Sequence, residues 1–107
     1  MEQMSFAEYA ASIARDASPP ADLSAPLNAL WHDARGDWAV AHGLVQEDSS
    51  ERAAWVHAYL HRKEGDASNA GYWYAKAGRS QPTIEVTPRM EWEQIARELL
   101  GDHPPAR

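Results

Sequence analysis

Apolar residues in this chain recur at the three-to-four-residue spacing of amphipathic helices rather than at the alternation of strands. Phe6, Tyr9, Ile13 and Ala17 form the first such set, and Ser5 with Glu8 makes a capping box ahead of it. The pattern predicts a first helix over about residues 6–17, ended by Pro19-Pro20. Ser24 caps a second helix with Pro26 in its first turn, and Leu27, Leu30, Trp31 and Ala34 share one face of it. Gly36 stops that helix as a left-handed residue, and Asp37 starts a third with Trp38, Ala41, Leu44 and Val45 as its stripe.

Asp48 or Ser49 caps a fourth helix over about residues 50–63. Trp55, Val56, Tyr59 and Leu60 make it apolar nearly all round, the mark of a helix packed on several sides. Gly65 and Asp66 repeat the stop and start, and Ala70, Trp73, Tyr74 and Ala77 line a fifth helix closed by Gly78. "RSQPTIEV" reads as extended or irregular. Thr87 and Pro88 then open a sixth helix, with Trp92, Ile95, Ala96 and Leu99 inward and Gly101 at its end. The expectation is an all-α fold of five to six helices in one domain over 1–101, with 102–107 a flexible tail.

"ALWHDARGDWAVA" and "AYLHRKEGDASNA" are partly the same text at an offset of 29 residues. Ala29/Ala58, His32/His61, Gly36/Gly65, Asp37/Asp66 and Ala41/Ala70 are identical pairs. Glycine lets the chain reverse, aspartate starts the next helix, and alanine lets helices approach closely. A turn has no need of the shared histidine, so duplication explains it better than turn chemistry alone. One hairpin cannot bury its apolar face, so two stacked α-hairpins are expected, with the first and last helices capping the ends.

Composition narrows the classes. The chain has 107 residues, 44% hydrophobic, with five Trp and four Tyr, enough for one core. It has no cysteine, which excludes disulfides and thiolate chemistry and suits a reducing cytoplasm. The N-terminus lacks a basic start and an unbroken apolar run, and no stretch approaches a membrane span. A formal charge of −6, with no basic run beyond "HRK", argues against nucleic acid and anionic membranes as partners.

Two constellations stand out. His57, His61 and Glu64 fall on one helical face and offer two imidazoles and a carboxylate to a divalent metal. Either His32, the counterpart of His61, or His42 is placed to converge on them. "HAYLH" lacks the glutamate that follows the first histidine of metalloprotease helices, so the bland reading is imidazoles bonded at helix crossings. Second, Arg62, Lys63, Asn69 and Tyr72 crowd one turn and, with His32, suggest a surface for a peptide or small acid. The competing reading makes the aromatic residues core and the charges a solvated rim. "RGD" at 35–37 is explained by the helix turn, and Glu91 with Glu93 by the dipole at the start of the sixth helix.

"GDASNAGYWYAKAG" resembles the second half of a SEL1-type or tetratricopeptide repeat. The span "LWHDARGDWAVAH" followed by "AWVHAYLHRKEGDASNAGYWYAKAG" resembles more closely a set of short bacterial proteins that carry "LWWDxxGDWxxAH" and then "AWVHAYLHRKEGDxxNAxYWYxxAG". His32 stands where that set has its second Trp. The resemblance implies a small helical fold and brings no activity with it. The expected function is therefore a helical-repeat module that binds a protein or peptide, possible as a homodimer, with no cofactor. The alternative is a metal-binding protein or metal-dependent enzyme built on His57, His61 and Glu64.

Overall fold

A computed structural model describes residues 4–101. The expected tail, 102–107, lies outside the described residues. Six helices and no strand occur among them: α1 (Phe6–Arg15), α2 (Ala25–Ala34), α3 (Trp38–Val45), α4 (Glu51–Glu64), α5 (Ala67–Ala77) and α6 (Pro88–Leu99).

Each helix begins on a side chain that accepts the backbone N–H three residues on. Ser5, Ser24, Asp37, Ser50, Asp66 and Thr87 fill this role. Such a cap contributes about 1 kcal/mol, so six of them fix the register of the fold locally. Two boundaries differ from the sequence expectation. α1 stops at Arg15 because the Arg35 guanidinium donates to the carbonyls of Ile13 and Asp16, at 2.8 and 2.5 Å, and Asp16 turns extended. α4 is capped by Ser50 rather than Asp48 or Ser49. Asp48 instead accepts the Ser50 N–H at 2.9 Å, holding the cap in place.

α2 with α3 and α4 with α5 are antiparallel neighbours across short turns. α4 also packs against α2, α3 and α6, and is the centre of the molecule. Every residue from Ala53 to His61 is buried. The indole of Trp38 donates to the Leu60 carbonyl at 2.9 Å and ties the first hairpin to the second. α1 is fastened to α2 by Tyr9 Oη to the Leu27 carbonyl and by Trp31 Nε1 to Ser12 Oγ. α6 is fastened by Trp92 Nε1 to the Leu30 carbonyl. The terminal helices meet each other, with the Trp92 ring 6.1 Å from both Phe6 and Tyr9.

Two carboxylates lie inside this packing. Asp33 accepts from Tyr59 Oη at 2.6 Å and Lys63 Nζ at 3.0 Å. Glu91 accepts from Tyr74 Oη at 2.6 Å and Arg62 at 2.9 Å. Glu91 stands in the first turn of α6, where the dipole favours it, and is in addition a buried ion-pair partner. Burial first, then the facing carboxylate, pushes both phenols above their usual range. No helix among the described residues is long and apolar enough to cross a membrane.

Candidate metal centre

His57 and His61 sit one turn apart on α4, so both imidazoles leave the same face. That face meets α3, whose Trp38 and His42 are likewise one turn apart. Stacking α3 on α4 brings three imidazoles together: a ligand nitrogen of each of His42, His57 and His61 lies within 4.8 Å of the others. The His57 and His42 Nε2 atoms are 3.1 Å apart. His61 Nδ1 is engaged by Glu64 Oε2 at 2.9 Å, which leaves its Nε2 for the cluster.

Two tryptophans wall the site. Trp38 stacks on His42 at 4.8 Å and Trp73 on His57 at 4.0 Å, with Trp38 also edge-on to His61. These rings fix the imidazole planes and keep water from their faces. Burial, followed by the neighbouring His42 and His61 rings, pushes His57 down to about 4. Burial and then His61 lower His42, with Glu64 pulling the other way. Both rings are therefore unprotonated at neutral pH, the form that binds metals.

Without an ion, one of the two rings donates its Nε2–H to the other's lone pair across the 3.1 Å contact. His57 Nδ1 is buried without a hydrogen-bond partner among the described residues, and a cation on Nε2 would leave it so. A cation would use both Nε2 lone pairs at once. Two nitrogens on a tetrahedral zinc at about 2.0–2.1 Å stand roughly 3.3 Å apart, close to the observed separation. The Glu64–His61 pair matches the carboxylate that commonly orients a metal-bound imidazole.

The other candidates from the sequence separate. His32 lies edge-on to Trp31 at 5.2 Å, while its counterpart His61 is in the cluster. Glu64 reaches His61 and, with Asp66, forms a second acidic grouping around that ring. Asp66 is occupied there by the Asn69 backbone and side chain. Asn69 is thus part of the α5 cap, and Arg62 and Lys63 serve the buried carboxylates. Tyr72 is the one large exposed aromatic ring among the described residues, at 55%. Trp38 and Trp73 pack against the core, as their helical stripes imply, and their role as walls of the imidazole cluster appears only in the fold. The Trp38/His42 spacing of one turn was the available signal.

No protein-family model matches the chain, and no curated protein or solved structure matches it either.

Proposed function

We propose that this protein binds a divalent transition-metal ion through His42, His57 and His61. The convergence of three imidazole nitrogens from two hairpins within 4.8 Å carries this reading. Imidazole donors without thiolates favour zinc, copper or nickel over magnesium and calcium. When bound, such an ion would act as a Lewis acid with a further position for water or another ligand. Glu64 orients His61, and the two tryptophans hold the other two rings. Binding rather than turnover is the activity proposed, because Glu64 is already engaged by His61. Ligands from both α3 and α4 make metal binding a clamp between the hairpins, and a cysteine-free chain suits a cytoplasmic setting.

Calorimetric titration of tag-free, chelator-treated protein with zinc tests this. One equivalent is expected to bind and raise the melting temperature. At a hundredfold excess over Kd the gain is about 2.7 kcal/mol. His42→Ala and His57→Ala are expected to abolish it and His32→Ala to retain it. Absence of saturable binding, or full binding by His42→Ala, refutes the proposal.

A second reading, a protein-binding or self-associating helical module, rests on Tyr72, with the Lys76 ammonium 5.6 Å over its ring. Sedimentation at rising concentration is expected to show a dimer that Tyr72→Ser weakens. A monomer throughout removes the homodimer form of this reading.

A further inference from the structure

A cleft of about 430 Å³ opens between α1, α2, α4 and α6, and none of its lining residues is a histidine. Its size is in the range that holds small organic molecules. Ile13 and Trp92 give it apolar walls. Ala34 also lines it, which explains why this residue, expected on the core face of α2, is exposed.

The polar groups have a definite sign. Asp33 belongs to the lining but is nearly fully buried, and its two oxygens are taken by Tyr59 and Lys63. The Lys63 side chain is 41% exposed, so the ammonium keeps further N–H donors beside the cleft. Arg89 stands at the mouth in the first turn of α6, exposed, with no hydrogen bond or ion pair among the described residues. The positive end of the α6 dipole adds to it. With Asp33 offsetting Lys63, the Arg89 charge is left over, in a chain of formal charge −6.

We propose that this cleft binds a small monocarboxylic acid with an apolar body. The carboxylate meets the planar fork of Arg89, which matches it with two parallel hydrogen bonds, and takes a further N–H from Lys63. The body lies between Ile13 and Trp92. One surplus cation suits a monoanion better than the dianion of a phosphate monoester. This site is independent of the histidine cluster and stands whether or not that cluster takes a metal.

The test is an NMR titration of nitrogen-15-labelled protein with phenylacetate, phenethyl alcohol and phenyl phosphate. The Trp92 indole N–H, fixed on the Leu30 carbonyl beside the cleft, is the reporter. Phenylacetate is expected to shift it saturably and to bind more tightly than the other two. Arg89→Ala is expected to weaken phenylacetate on the order of tenfold, and Arg89→Lys to restore part of that. The exposed position of Arg89 keeps the fold intact, checked by an unchanged spectrum away from the cleft. The proposal fails if the indole does not shift saturably, if the alcohol or the phosphate binds as well as the acid, or if Arg89→Ala changes nothing.

Discussion

The two hairpins use one turn for different ends. In α2–α3, Gly36 sits at φ 84° and its N–H donates to Asp33, while the Asp37 N–H returns to the His32 carbonyl. In α4–α5, Gly65 at φ 92° donates to Arg62 and the Asp66 N–H returns to His61. Both aspartates then cap the following helix. Around these matched turns the side chains diverge. Position 28 is asparagine where 57 is histidine, and 33 is aspartate where 62 is arginine. Position 42 is histidine where 71 is glycine. The difference teaches that turn chemistry travels with local sequence, while a site depends on what the next helix in the stack supplies. His61 meets His42 because α3 covers the face of α4 that carries it; His32 packs on its neighbour Trp31 instead.

The largest test of this contrast is at the opposite charges. Arg62→Met strands the Glu91 carboxylate inside the protein and is expected to cost about 3–5 kcal/mol in urea unfolding. Asp33→Asn, at the matching position, keeps an acceptor for Tyr59 and leaves only a half-exposed lysine unpaired. It is expected to cost about 1 kcal/mol. Equal costs would show that the hairpins bury these positions alike.

Acid comes next. The folded His57 titrates near 4 against an ordinary 6.5, so the unfolded chain binds the extra proton first. Metal-free protein is therefore expected to hold this stability above pH 6.5 and lose on the order of 3 kcal/mol as pH falls toward 4. His57→Asn, which copies position 28, is expected to flatten that slope. An unchanged slope would place the acid sensitivity elsewhere.

A smaller effect tests the likeness itself. Gly36→Ala and Gly65→Ala both force a side chain into left-handed backbone, and each is expected to cost about 1 kcal/mol. Costs differing by more than that would separate the two turns. The least change is inside the helices. A Cβ at Gly43 meets nothing, so Gly43→Ala is expected to stabilise by about 0.5–1 kcal/mol. At Gly71 the added carbon meets Gln81 Nε2 at 2.7 Å, and the gain shrinks by whatever moving that exposed side chain requires. Thermal melts of the two variants measure the difference.

Much of this fold was legible in the chain. Five of the six caps, the Gly36 and Gly65 reversals and the all-round burial of α4 follow from residues within a few positions of one another; at α4 the run of Asp48, Ser49 and Ser50 offers three capping side chains, and Ser50 takes the role. The α1 end was not legible, because Arg35 closes it from another helix. Ala34 faces the cleft rather than the core for a similar reason: its helical face is set by sequence, but what stands opposite it is not. At the candidate site, His57 and His61 were visible as a one-turn pair. Sequence spacing placed Glu64 on the same face, yet it orients His61 from outside the three-imidazole cluster.

Sequence by itself determined the six described helices, most of their starts and the two reversals, since capping bonds and glycine dihedrals act over three or four residues. Tertiary structure alone decided which histidines meet, which carboxylates are buried and that Arg89, among the described residues, stands beside the cleft without a hydrogen bond or ion pair. Those outcomes depend on how helices cross, and crossing is set by the packing of Trp38, Trp73 and Trp92 across segments far apart in the chain.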